Sequence, residues 1–315
     1  MTAEHPAPVQ LPPERQLART ISRIERGELT DVDPAGHLTA GAHVIGITGS
    51  PGSGKSTLVD ALAGQIRADG ATVAILAVDP SSQTTGGAVL GDRVRMSSHS
   101  RDPGVFIRSM GTRGSTTGLA GAARDAVKVL DAAGYDVVLV ETVGVGQVEL
   151  DVLTVADTVA VVLVPGLGDT MQMNKAGIME IGDLFVVNMA DRSETSQCVR
   201  ELKQALAVGA RHQHTAVPPV CCTVALTGAG VDELWATLRT CDEHDRASGR
   251  RRDRRERQRD AELTRHIQNR ALALLQDTMA GSTGLAALRQ RVRAGDLTPR
   301  AAADAWLTGL RWQQG

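Results

Sequence analysis

The run Gly49-Ser50-Pro51-Gly52-Ser53-Gly54-Lys55-Ser56 carries the strongest chemical signal in this chain. It matches the spacing G-x-x-x-x-G-K-[ST], in which glycines let successive backbone N–H groups wrap phosphates. An apolar stretch, Val44–Thr48, precedes it, and a helical stripe of Leu58, Leu62 and Ile66 follows Thr57. The loop would therefore open a helix, whose N-terminus adds partial positive charge. Lys55 would reach the β- and γ-phosphates, and the Ser56 hydroxyl would ligate Mg²⁺. This pattern predicts binding of a nucleoside triphosphate.

Further polar residues stand where apolar runs end. Asp136 to Gly144 reads as a strand closing in E-x-x-G. That places Glu141 to hold Mg²⁺ through water and the Gly144 N–H to sense the γ-phosphate. Asp79 in Val-Asp-Pro-Ser-Ser and Asp92 in Leu-Gly-Asp-Arg follow strands or Gly-rich turns on the same side. With Ser56 and Glu141 they form a candidate metal shell. Asn188-x-x-Asp191 ends another apolar run with the spacing of the guanine-reading N-K-x-D of G proteins. A carboxylate at Asp191 accepts from guanine N1–H and its exocyclic amine. Adenine lacks that donor pair, so GTP is expected over ATP. Met189 replaces the usual Lys; its thioether chain can cover the base face without ammonium contacts. Val224-Ala225-Leu226 sits where G proteins place a backbone N–H on guanine O6. Val145 follows Gly144 in place of the Gln that orients attacking water, so the chain alone should hydrolyse GTP slowly. Lys55, Asp92, Glu141 and Gln147 are the candidate catalytic residues, with Arg108 and Lys175 as further groups that could move in.

These residues need a scaffold, and the apolar pattern supplies one. Short runs at 44–47, 73–78, 105–107, 137–140, 159–164, 184–187 and 220–224 are continuous, as strands buried on both faces require. Helical stripes separate them. The expected fold is α/β: a P-loop NTPase with a mostly parallel sheet flanked by helices, plus N-terminal and C-terminal helical extensions. Residues 1–40 are polar, with one amphipathic helix near Arg15–Arg26; 41–245 form the nucleotide domain; 246–315 form a helical arm. That arm opens with ten Arg against four acidic residues between Arg246 and Arg270, read as a solvated helix face. An apolar stripe of Leu263, Ile267, Ala271, Leu274 and Thr278 follows and predicts a two-fold homodimer.

Composition limits the alternatives. The 315 residues fit about two domains of roughly 150 each, or one large domain with appendages. Hydrophobic residues at 42% exclude wholesale disorder, and a net charge of −2 argues against nucleic-acid or membrane partners. The first residues lack an apolar leader, and no apolar run approaches the roughly 20 residues of a membrane helix, so a cytoplasmic protein is expected. Cys198, Cys221, Cys222 and Cys241 show no metal-ligand spacing and read as small apolar residues in a reducing compartment. Arg211-His212-Gln213-His214 reads as a polar loop.

Several blocks together resemble the MeaB/ArgK family of cobalamin-enzyme G-protein chaperones. They are Gly46–Thr57, Val78–Ser82, Leu90–Arg93, Phe106–Arg108 and Glu141–Gln147, extended by Pro165–Asp169 and Lys175–Glu180. The resemblance implies a dimerising GTPase that uses GTP/GDP and Mg²⁺. It further implies escort and protection of methylmalonyl-CoA mutase, or a related acyl-CoA mutase, during cobalamin loading, with an adenosyltransferase as a further partner. The family's nucleotide and magnesium residues map onto Lys55, Ser56, Asp79, Asp92, Glu141 and Asp191. Met173-Asn174 depart from the usual Gly and Ile before Lys175. Two other readings stand beside this one. A P-loop small-molecule kinase or ATPase of amino-acid transport would have no use for Asn188 and Asp191. A nickel metallochaperone GTPase would want a His-rich tract or Cys-x-x-Cys, and neither is present.

Overall fold

The structure is a computed structural model that describes residues 14–29, 41–79, 99, 101–111, 118–142, 154–166, 178–213 and 216–309. Each of the seven apolar runs forms a strand: β1 (His43–Gly49), β2 (Val73–Asp79), β3 (Val105–Gly111), β4 (Val137–Thr142), β5 (Thr158–Leu163), β6 (Leu184–Asn188) and β7 (Val220–Thr223). They pair in parallel, in the order β3-β2-β4-β1-β5-β6-β7. The helices are α1 (Glu14–Glu25), α2 (Lys55–Ala68), α3 (Gly118–Ala132), α4 (Ile178–Ile181), α5 (Thr195–Gln213), α6 (Val231–Ala247), α7 (Arg250–Ala280), α8 (Thr283–Ala294) and α9 (Pro299–Gly309). Central β1 lies between β4 and β5, and the chain leaves it for β2 on one side and later returns for β5 on the other. Strand order reverses there, and the carboxyl ends of strands at such a point are where α/β sheets bind ligands.

Successive side chains alternate between two apolar layers, which explains why the runs are unbroken. One layer takes Val44, Leu76, Val138, Val161 and Val187 with α1, α3 and α5. The other takes Ile45, Ile75, Leu139, Val162 and Val186 with α2 and α6. The helix expected near Arg15–Arg26 is α1, and its Leu17, Ile21 and Ile24 are buried in the first layer. Arg211 to Gln213, expected in a loop, form the last turn of α5, because nothing in that stretch breaks the helix.

At the amino edge of the sheet, carboxylates receive the leading backbone N–H groups. Asp131 accepts from Ala42, Asp157 from Val44 and Asp183 from Val159, at 2.8–3.1 Å. Three arginines in the first turns of α7 answer these charges. Arg255 binds both oxygens of Asp157 at 2.8 and 2.7 Å, and Arg254 binds both of Asp183 at 2.8 and 2.7 Å. Arg251 joins Asp157 to Asp242. These arginines also donate to the carbonyls of Gly41, Ala42 and Asp157. The start of the Arg-rich run is thus not the solvated face its mixed charges suggest: Arg251 is buried, and its neighbours hold down the sheet. Burial pushes the Asp157 carboxyl up, but the Arg255 hydrogen bonds and the Arg255 and Arg251 charges outweigh it and hold it below the usual range. His43 beside them is lowered to about 4, chiefly by burial, and its Nε2 shares a 2.8 Å hydrogen bond with Thr158 Oγ1.

The chain divides into two compact units between Glu256 and Arg257. Described residues of the second unit form the remainder of α7, then α8 and α9, with short turns between them. Within it, Ser282 caps α8 by accepting the Leu285 N–H, and Trp306 Nε1 donates to the same hydroxyl. Leu263, Ile267, Leu272 and Leu274 are exposed along α7. No described helix is long and apolar enough to cross a membrane. The four cysteines are free thiols.

Candidate nucleotide site

The phosphate loop leaves β1 at Gly49, where the strand runs hard against β5. A Cβ at Gly49 would stand 2.1 Å from the Val162 carbonyl oxygen, so only glycine fits. At the other end of the loop, Gly54 has φ +80 and caps α2 without a side-chain hydrogen bond. The first turn of α2 holds no acidic residue. The helix therefore presents its leading N–H groups and positive end to an anion rather than to its own carboxylates. Lys55 is buried, and its Nζ donates to the Gly49 and Ser50 carbonyls at 2.8 and 3.0 Å, which pins the ammonium at the start of the loop. Pro51, Gly52 and Thr57 are exposed, whereas Ser53 is buried.

Glu141 is carried by β4 in register with Ile47 of β1 and Ala77 of β2, which brings it beneath the loop. Ser56 Oγ donates to Glu141 Oε1 at 2.6 Å. A hydroxyl and a buried carboxylate in contact are the hard oxygen donors Mg²⁺ takes, so these residues fit the metal. Asp79 is the last residue of β2, so its backbone reaches the same edge of the sheet. Its side chain, together with Asp92, Gly144 and Gln147, lies outside the described residues.

The turn expected to read the base is organised by Asn188 at the end of β6. Its Nδ2 donates to the Ser53 carbonyl at 2.9 Å, while Oδ1 accepts from Thr223 Oγ1 and the Ala225 N–H, both at 3.1 Å. One buried amide thus ties the phosphate loop to the turns after β6 and β7. A Cβ at Gly54 would come within 2.5 Å of that amide. Met189 follows with φ +55, a left-handed backbone that a non-glycine residue rarely adopts. That turn lets the Ala190 N–H reach the Thr223 carbonyl at 3.0 Å. Asp191 is exposed beyond it. Val224 closes a tight turn onto Ala229, and within it Ala225 is buried and Leu226 is 87% exposed.

Two features were hidden from sequence reasoning. The Thr223 hydroxyl buttresses Asn188 from another strand, and nothing in its local pattern marks it. Arg108, expected as a group that could move toward the phosphates, instead anchors α1. Its Nη2 donates to Glu25 Oε2 at 2.7 Å and Ser22 Oγ at 2.9 Å, and Glu25 Oε1 accepts the Gly111 N–H at 3.3 Å. The 83 residues between Glu25 and Arg108 explain why no local motif announces the pair.

A parallel sheet with a phosphate loop after its central strand and an N-x-x-D turn after β6 defines a P-loop GTPase. Residues 30–280 match the family described as methylmalonyl Co-A mutase-associated GTPase MeaB, and the chain belongs to that family. It is 44% identical over 305 residues to a putative GTPase of Pyrococcus abyssi, spanning 92% of this chain and 91% of the relative. A methylmalonic aciduria type A homolog of Mus musculus is 33% identical over 270 residues, which cover 85% of this chain and 65% of that protein. Among solved structures, one titled LAO/AO transport system kinase aligns with a TM-score of 0.65 and 26% identity, covering 95% of this chain and 99% of the other. The chain is a GTPase that binds guanine nucleotides.

Proposed function

We propose that this GTPase is the chaperone of a cobalamin-dependent acyl-CoA mutase, methylmalonyl-CoA mutase or a close relative, and that it gates cofactor loading and protects the loaded enzyme. The observation that carries this reading is the match of residues 30–280 to a family described as mutase-associated. An adenosyltransferase would be a further partner. In this reading Ser56, Asp79, Asp92 and Glu141 hold Mg²⁺, which when bound offsets charge on the β- and γ-phosphates. Lys55 steadies the γ-phosphate, Asp191 selects guanine, and Gln147 and Asp92 help complete hydrolysis. Val145 after Gly144 leaves attacking water without the usual Gln, so turnover by the chain alone is slow.

The loop after β5 is the proposed switch. It begins at Pro165-Gly166, where Gly166 has φ +87 and Arg192 Nη1 donates to the Pro165 carbonyl at 3.3 Å. Arg192 directly follows Asp191, so this contact supports a link between the base-reading turn and the loop. Asp169 and Lys175 further along, outside the described residues, supply charges that pair differently in each state. GTPase rate with and without the mutase is the measurement, in the wild type and in the Asp169→Ala plus Lys175→Ala variant. The mutase is expected to accelerate the wild type by at least about tenfold. An unchanged rate ends the chaperone reading, and equal acceleration of both proteins removes this loop as the switch.

The exposed apolar residues of α7 support a homodimer in which this arm meets a second copy. Light scattering should give twice the 33.1 kDa chain mass. A cut after Glu256 should give a monomer; a monomeric intact chain ends the dimer proposal.

A further inference from the structure

Helix α1 ends on a buried carboxylate, in a place that does not suit one. Glu25 is the last residue of the helix and is 2% exposed. The carbonyl end of a helix carries partial negative charge, so a carboxylate there gains nothing from the dipole and loses its hydration. Its position is nevertheless fixed. The Gly27 and Glu28 N–H groups return to the Ile24 and Arg23 carbonyls, both at 2.9 Å, and Gly27 has φ +69, which together make a Schellman stop. Leu17, Ile21 and Ile24 pack the same helix into the core. Packing alone would be served as well by an apolar residue at position 25. What explains the carboxylate is what it holds: Arg108 Nη2 on one oxygen and the Gly111 N–H on the other.

The sheet register shows why Gly111 is worth holding. On its β4 side, β2 is paired as far as Val78, opposite Thr142. On its β3 side the pairing runs one residue further, to Asp79 opposite Gly111. Among the described residues, Gly111 is therefore the strand partner of the Asp79 backbone. It ends the outermost strand of the sheet, and as a glycine it has no side chain to pack. We propose that Glu25 is a positioning residue for the metal: by fixing Gly111 it sets the backbone from which Asp79 reaches Mg²⁺. Arg108 holds the carboxylate in place, and Ser22 Oγ accepts from the same guanidinium nitrogen. This rests on the reading of Asp79 as a Mg²⁺ ligand. Helix α1 then tunes metal affinity and leaves the phosphate loop as it is.

The test is a calorimetric Mg²⁺ titration of the full chain in stoichiometric complex with a non-hydrolysable GTP analogue. Analogue affinity in chelator and urea unfolding are measured beside it. Glu25→Leu with Arg108→Met replaces the ion pair by apolar groups, an exchange that folds tolerate, and leaves the Gly111 N–H without its acceptor. This paired variant should weaken Mg²⁺ by about tenfold, as when a group behind a metal ligand is removed, with Mg²⁺-free affinity unchanged. Ile21→Ala opens a cavity under the same helix; it should lower the unfolding midpoint and keep Mg²⁺ affinity. Asp79→Asn should weaken Mg²⁺ at least as much as the paired variant, and combining them should cost little more. Unchanged Mg²⁺ affinity in the paired variant, with Asp79→Asn weakened, overturns the role of Glu25 alone. So does an equal loss in Ile21→Ala, which would assign the effect to α1 packing at large, or an equal loss of Mg²⁺-free affinity. Unchanged Mg²⁺ affinity in Asp79→Asn overturns the reading of Asp79 and the route through it.

Discussion

Lys55→Ala should reduce GTP turnover by roughly 10²–10³-fold or more while the protein stays folded. The ammonium is pinned at the first two carbonyls of the loop, and in the proposed mechanism it meets the charge that builds up during phosphoryl transfer. Its loss removes a fixed charge from a buried position, and solvent cannot replace it. Asp191→Ala makes the informative contrast. It should keep measurable hydrolysis and lose the preference for GTP over ATP, because in the proposed reading this exposed carboxylate acts on the ring edge and not on the phosphates. Steady-state rates with both nucleotides measure the pair. Full GTP turnover in Lys55→Ala would remove the phosphate-loop mechanism.

Asp157→Ala should destabilise the fold by about 3–5 kcal/mol, the range for breaking a buried ion pair from one side. Asp157 is buried against Arg255 and Arg251 and also takes the Val44 N–H, so its removal takes the carboxylate from both guanidiniums, leaving Arg255 the Ala42 carbonyl, and leaves the Val44 N–H without this acceptor. Denaturant unfolding measures this, and a loss under about 1 kcal/mol would show that the network is idle. The same region sets a pH dependence. His43 is held at about 4 in the folded chain against an ordinary value of 6.5, so the folded state favours its neutral form. Its contribution is full above 6.5 and is lost as pH falls toward 4, a change of about 3 kcal/mol across that window. His43→Gln should flatten stability between those two pH values. The Asp157 contribution, from a lowered carboxylate, is lost only below the ordinary 3.8, so the two windows are distinct.

All seven strands and the phosphate loop were legible because each is written locally: an unbroken β-branched run for a strand buried on both faces, and a fixed glycine spacing for the loop. Glu141 was legible for the same reason, since its strand and its motif are contiguous. What stayed hidden depends on residues far apart in the chain. Arg251, Arg254 and Arg255 read as solvated because helical charge patterns look alike whether water or aspartate answers them. Asn188 was singled out by its motif spacing, but its three hydrogen bonds to the protein were not legible, because two of its partners lie on a strand and turn more than thirty residues later. Arg108 was read as a group that could move in toward the phosphates, for want of any local sign of Glu25.

The clamp at the amino edge also orders events during synthesis. Asp157 and Arg255 are 98 residues apart, so a chain growing from its N-terminus completes β5 and β6 long before the arginines that neutralise their leading carboxylates exist. Until α7 emerges, the nascent sheet carries Asp157 and Asp183 with no counter-charge from this helix, and burying them is unfavourable. Closure of the sheet is therefore a late, long-range step, of the kind that is slow and exposes intermediates to aggregation. A fragment that stops at residue 245 holds every candidate nucleotide-binding residue and still lacks the turn that lets the sheet close. An autonomous G domain from this chain has to run through Arg255.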